Sequence, residues 1–370
     1  MLRLSTKQDF EALLLGAAIY ATGGGGDIEE GMKLVKEAFL DKSKVLEIKD
    51  FEELDQEKFV ATPYDVGTIA PSATLRKPLK IANTILRAVE RFKELLGIEL
   101  VAFMPVELGG GNTAVALYAS GIAGIPVADG DRVGRAAPEI HQDTAFLFNK
   151  STLPAYAVTP TGDEVLIVGY ADVDDYEAML RHLAVLSGKF VTVIDTPLKV
   201  SEAKDIAIRG SLTRCYELGK LVLDMKSRNA IKIDRIAEAM NGWVVFHGII
   251  KEWRWRNEGG FLVGEMIIEG IEEYKNRVLR SWIKNEHIMV WIDNEPLVMP
   301  PDLFTLVLRD GTPLLNSKAR EGIEVYGIAA PAPNVWRSER GLELFGPKHF
   351  GFNYEYVPVE ILIRKRGVVA

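Results

Sequence analysis

Phe10, Leu13, Leu14 and Ala17 recur at the i, i+3, i+4, i+7 spacing of one helix face. Thr6 and Asp9 stand ahead of them like a capping box, so the pattern predicts a helix over 6–21. Beyond Thr22-Gly23-Gly24-Gly25-Gly26-Asp27, the spacing of Met32, Val35 and Phe39 predicts a second helix, with Glu29 and Glu30 complementing its dipole. Lys44–Ile48 and Phe59–Pro63 read as strands, the second followed by Asp65-Val66-Gly67-Thr68 as a loop. Residues 79–96 place Ala82, Ile85, Leu86, Val89, Phe92 and Leu96 on one helical face, and Gly97 suits the stop. Ile98–Val106 is a near-continuous apolar run and reads as a buried strand. Leu108-Gly109-Gly110-Gly111-Asn112 then turns the chain into a helix, Thr113–Ala119, before a short strand, Ile125–Ala128.

Further on, residues 155–169 read as a hairpin around Thr161-Gly162-Asp163. Asp172 opens a helix to about Leu186, and 202–225 reads as one long helix with Ile208, Leu212, Cys215, Gly219 and Val222 on a stripe. From Gly242 the pattern is mostly strands, including Trp243–Ile250, Phe261–Ile268, His287–Ile292 and Leu303–Leu308, with turns such as Asp310-Gly311. The succession of strand, loop, helix and strand predicts an N-terminal α/β domain with a partly parallel sheet, over 1–171 and carrying the site. A β-rich α+β C-terminal domain is expected over 172–370.

Charge and composition narrow the function. A net charge of −8 excludes the basic footprint of a nucleic-acid binder and gives no attraction to anionic membranes. The single cysteine, Cys215, permits no internal disulfide and no Cys-based zinc cluster. Its place on an apolar stripe reads as an inert thiol. With a polar N-terminus and no apolar run near ~18 residues, a cytoplasmic protein acting on a small molecule is expected. Only three Gln beside abundant Lys and Glu suit a thermophilic source.

Ligands of α/β sheets bind beyond the carboxyl ends of the strands, and glycines there let main-chain amides approach. Gly24, Gly25 and Asp27 of the first glycine loop, and Gly110, Gly111 and Asn112 of the second, are therefore candidate substrate contacts, as is Asp65. The first loop joins helix to helix, so it has amides without the strand-end position. Neither loop is a Walker A or GxGxxG motif, so no nucleotide is indicated. The polar run Asp129-Gly-Asp131-Arg-Val-Gly-Arg135-Ala-Ala-Pro-Glu139-Ile-His141 follows a strand. Asp129, Asp131, Glu139 and Glu107 are the candidate catalytic carboxylates. Asp129, Asp131, Glu139 and His141 are candidate ligands for one divalent metal ion. Arg135 can clamp a substrate carboxylate or close a salt-bridged turn. His182, His247, His287 and His349 are scattered, and neither HExxH nor a Gly-x-Ser-x-Gly elbow occurs. Trp253 and Trp255 suit either packing on their own sheet or a contact in a homo-oligomer.

These motifs, in this order, resemble one family. The carriers are Thr22–Asp27, Glu107–Asn112 and Pro126–Glu139, then Asn285-Glu286, Pro301-Asp302-Leu303, Pro331-Ala332-Pro333 with Trp336, and Gly346-Pro347-Lys348-His349-Phe350-Gly351. The chain is similar to the S-methyl thiohydantoin desulfurase-like proteins, which often accompany hydantoinase and oxoprolinase subunits. The resemblance implies a two-domain hydrolase that removes sulfur, as methanethiol, from an S-methylated thiohydantoin ring; related members release sulfide with a divalent metal. It departs from the family at Ala136-Ala137, where Ala-Phe is commoner, and at Val133, often Met. Two other readings are a non-catalytic ligand-binding or scaffold subunit partnering a hydantoinase-type enzyme, and a phosphate-binding enzyme using the glycine loops.

Overall fold

Thr6 opens the first helix, Lys7–Tyr20, as its pattern requires: its hydroxyl accepts from Asp9 N, and the Asp9 carboxylate accepts from Thr6 N. This computed structural model describes residues 1–67, 75 and 77–366. The helix packs along Ser211–Ser227 with the two backbones almost touching. A β-carbon at Gly16 would lie 1.8 Å from the Cys215 carbonyl oxygen, and one at Gly219 would lie 1.8 Å from that of Ala12. Such an approach requires residues without side chains. Cys215 is buried in this seam, and burial pushes its thiol well above its ordinary range.

The first sheet runs Leu2–Leu4, Leu46–Lys49, Val127–Ala128, Leu100–Phe103, Phe59–Gly67, Phe190–Lys199, Ala155–Val158, Glu164–Ile167. Its central pairs are parallel and its flanks antiparallel, so the sheet is mixed. Helices Ile28–Ala38, Thr84–Leu96 and Asn112–Ala123 share its core. Strand Phe190–Lys199, although well past residue 171, lies inside this sheet. The second sheet is antiparallel throughout, with seven strands between Trp243 and Ala330 and a core of its own. A third apolar cluster joins the halves, and in it Trp336 Nε1 donates to Val133 O at 2.7 Å.

Several boundaries move. Asp65–Gly67 continues a strand, and Thr68 of the expected loop lies outside the described residues. The helix expected over 79–96 starts at Thr84, because Asn83 caps it through Leu86 N at 2.8 Å. The helix expected over 202–225 is broken. Val200–Ile206 ends, Ile208–Arg209 pairs with Gly130–Asp131, and Gly210 turns at φ 71° before Ser211–Ser227 begins. The break spans only residues 207–210, and Ile208 within it still falls on the expected apolar stripe, so periodicity does not reveal it. The hairpin about Thr161–Asp163 and the helix capped by Asp172 form as expected. Trp253 packs on its own sheet, while Trp255 is exposed. No helix among the described residues is long and apolar enough to cross a membrane.

Candidate active site

A cavity of about 550 Å³ opens beyond the parallel strands, closed on one side by the turn before strand Glu286–Ile292 of the second sheet. It brings together Gly25, Asp27, Asp65, Glu107, Gly111, Asn112 and Glu139 of the expected residues, and adds Glu286. Gly24, Gly110, Asp129, Asp131, Arg135 and His141 are not among the described residues that line it.

The two glycine loops pack against each other. Gly111 N and Asn112 N both donate to Gly25 O, at 3.0 and 3.1 Å. A β-carbon at Gly109 would lie 2.2 Å from the same oxygen, and one at Gly110 would lie 2.7 Å from Ile28 N. The expectation that these amides face a ligand therefore fails at 111 and 112, whose N–H groups are engaged within the protein. The glycines serve close approach instead. Asp27 caps helix Ile28–Ala38 through Glu29 N at 2.8 Å and pairs with Lys318 at 2.6 Å.

Glu107 leaves the strand end with both oxygens held: Asn112 Nδ2 donates to one and Ala137 N to the other, each at 2.8 Å. Burial pushes its carboxyl up to about 7 against these hydrogen bonds. Glu286 is 3% exposed, and its Oε2 has no hydrogen-bond partner. Burial, reinforced by the Glu107 charge, holds it well above the usual carboxylate range although Arg135 pulls the other way. Two such groups do not ionise together. Glu107 is therefore near its midpoint at neutral pH, and ionisation of either carboxyl opposes that of the other. Asp65, whose Oδ1 accepts from Thr192 Oγ1 at 2.6 Å, is pushed up to about 6 by burial.

Three residues expected at the site have other tasks. Asp129 accepts from Thr213 N at 3.1 Å and Thr213 Oγ1 at 2.5 Å, and so caps from outside a first-turn amide of helix Ser211–Ser227, whose own N-cap, Gly210, has no side chain to do so. Asp131 is fully buried, and its Oδ2 accepts from Val133 N at 2.9 Å and Gly134 N at 2.6 Å, fixing the turn. Burial pushes this carboxyl to about 6. Arg135, also fully buried, donates to Ala136 O, Pro301 O, Asp302 O, Thr22 Oγ1 and His287 O between 2.8 and 3.1 Å. A guanidinium has five N–H groups, so none is left for a substrate carboxylate. Burial lowers its pKa to about 10.

Glu139 and His141 do meet, and His349 from the far end of the chain joins them. His141 Nε2 and His349 Nε2 are 3.3 Å apart, and Glu139 Oε2 lies 3.3 and 2.5 Å from them. Lys284 holds the other Glu139 oxygen. Burial would raise the Glu139 carboxyl, but hydrogen bonds from the two histidines and the Lys284 charge bring it well below the ordinary range. Two imidazole nitrogens and a carboxylate suit a divalent first-row metal. Tetrahedral ligands roughly 2.0–2.1 Å from zinc stand about 3.3 Å apart, which matches the two separations from His141, while the 2.5 Å between His349 and Glu139 is a hydrogen bond that an ion would replace. Asp129 and Asp131, expected as ligands, are not in this group. Sequence reasoning missed Glu286, His349 and Lys284 as site residues. The signal available for the first two was their place in the recurring motifs Asn285-Glu286 and Gly346–Gly351.

No curated protein matches the chain. A crystal structure of a protein from Chromobacterium violaceum is similar to it at a TM-score of 0.78 and 21% identity, covering 97% of this chain and 100% of that one, a likeness of fold. Residues 8–169 match the S-Me-THD-like N-terminal domain and residues 171–359 the S-Me-THD-like C-terminal domain. With both domains matched in order over nearly its whole length, the chain belongs to the S-Me-THD-like family.

Proposed function

We propose that the protein is a desulfurase-type hydrolase of a cyclic thiohydantoin-like ring, acting in the cavity beyond the parallel strands of the first sheet, where the turn before Glu286 closes it. Family membership supports the reaction class. The observation that carries the assignment is the buried Glu107–Glu286 pair, both lining the cavity and both held above the usual carboxylate range by burial. Their surroundings differ, since Glu107 has both oxygens hydrogen-bonded while Glu286 Oε2 has no partner, and carboxyl groups in unlike environments divide base and acid tasks between them.

The reaction begins with water adding to the ring carbon that bears the S-methyl group. Glu107 accepts a proton from the water as the C–O bond forms. Glu286 gives its proton to the ring nitrogen as the C=N bond opens. In the adduct the C–S bond then breaks, and the sulfur leaves as methanethiol with the proton held on Glu107. The adduct hydroxyl returns its proton to Glu286 as the carbonyl forms. Hydantoin and methanethiol result, and both carboxyl groups regain their starting states. Asn112 keeps Glu107 aimed through its 2.8 Å hydrogen bond. Glu139, His141 and His349 would hold a divalent ion, which supplies Lewis-acid polarisation and a lowered water pKa when bound.

Purified protein incubated with an S-methyl thiohydantoin should release thiol. General acid–base catalysis is worth roughly 10²–10⁴-fold, so Glu107→Gln and Glu286→Gln should each lower kcat/KM by about 100-fold or more. Absence of thiol release by the unaltered protein across a panel of thiohydantoins and hydantoins would reject the assignment and leave the scaffold reading.

A further inference from the structure

We propose a second cation site, outside the cavity, formed by His247, Glu272 and Glu273 and suited to a divalent ion of the zinc class. His247 lies on strand Trp243–Glu258 and is 1% exposed. Its ring is stacked on Tyr326 with centroids 3.9 Å apart and planes 10° from parallel, which fixes its orientation. Nε2 is 3.0 Å from Glu324 Oε1. With Nε2 donating to that carboxylate, Nδ1 is the ring nitrogen that offers its lone pair to a ligand.

That lone pair is buried without a hydrogen-bond partner. It faces Glu272 Oε2 at 3.3 Å, and the donor atoms of His247, Glu272 and Glu273 all lie within 4.8 Å of one another. A cation seated among these three atoms would satisfy the buried nitrogen and both carboxylates at once. The separation of 3.3 Å from Nδ1 to Oε2 is that of adjacent ligands on a tetrahedral ion with bonds of roughly 2.0–2.1 Å. One imidazole with carboxylates selects zinc-like ions over calcium, which takes oxygen ligands. Glu324 behind the ring is the outer carboxylate that a metal-binding histidine ordinarily has. Glu272 and Glu273 are exposed, so an ion can enter from solvent and water can complete its coordination. The ion would tie the Glu272–Tyr274 turn to strand Trp243–Glu258.

The test uses the full chain, stripped of metal and titrated with Zn²⁺ by calorimetry, with bound metal counted after dialysis. The unaltered chain should bind one equivalent that the double variant Glu272→Gln/Glu273→Gln loses and that His349→Asn, altered at the cavity, retains. Zn²⁺ should raise the melting temperature of His349→Asn but not of the triple variant Glu272→Gln/Glu273→Gln/His349→Asn, in which both donor sets are broken. Glu324→Gln should weaken this equivalent about 10-fold. The proposal is overturned if the unaltered chain binds no Zn²⁺, or if the double variant binds as many equivalents as the unaltered chain with the same affinity. Because the double variant changes exposed side chains alone, loss of fold does not obscure the result.

Discussion

Gly24 leaves room that Glu286 fills: a β-carbon on residue 24 would lie 1.8 Å from Glu286 Oε1 and 2.6 Å from its carboxyl carbon. The first glycine loop thus acts on the site through the space it vacates. It also lies directly along the strand that carries Glu286, with His287 N donating to Thr22 O at 2.9 Å.

Gly24→Ala is therefore expected to displace the Glu286 carboxyl. Gly24 does not have a positive φ, so the backbone accepts alanine. Thiol release should fall at least 10-fold, while the melting temperature moves by a few degrees. Equal activity in the two proteins would remove Glu286 from the reaction.

The raised Glu107 carboxyl makes stability depend on pH. Its pKa rises from 4.5 to about 7 on folding, so the folded state holds the proton more tightly than the unfolded chain. This contribution is complete below about 4.5 and is lost as pH climbs through about 7. Denaturant unfolding should show stability declining from pH 5 to pH 8. Glu107→Gln should reduce that decline by on the order of 2 kcal/mol. In the intact enzyme kcat/KM should rise with an apparent pKa near 7 as Glu107 ionises.

Arg135 is a structural tie with five acceptors drawn from both halves of the chain. Arg135→Lys cannot meet them all. We expect a stability loss of about 3 kcal/mol in denaturant titration, with KM for neutral and carboxylate-bearing substrates changed by similar factors. A selective loss of the carboxylate-bearing substrate would restore Arg135 to a binding role.

Asp129 and Asp131 separate in the same way. Asp129→Ala removes a helix cap and should destabilise by about 1 kcal/mol. Asp131→Ala removes acceptors for two buried amides and should destabilise by about 1–3 kcal/mol. Activity per folded molecule should stay within about threefold in both. Turnover abolished in Asp131→Asn at an unchanged melting temperature would contradict this.

Metal removal probes Glu139, His141 and His349. Chelation should lower thiol release, and added divalent ion should restore it in the unaltered protein but not in His349→Asn. Rates indifferent to chelator would leave the trio as a hydrogen-bonded cluster around the Glu139 anion.

Local rules written along the chain determined much of this protein. Thr6, Asn83 and Asp172 cap helices, the apolar periods place most strands and helices, and Gly97 ends its helix at φ 60°. Each depends on residues within a few positions of one another, which is the range of helix and strand geometry. Tertiary structure decided which acids share a space. Asp129, Asp131 and Arg135 are the densest polar run in sequence, yet they are engaged in a cap, a turn and a tie. Glu286 comes from another sheet, and His349 meets Glu139 across 210 residues. Charge density along a chain does not report burial. Burial sets which carboxyl keeps its proton, and it exists only once the two halves have closed on each other.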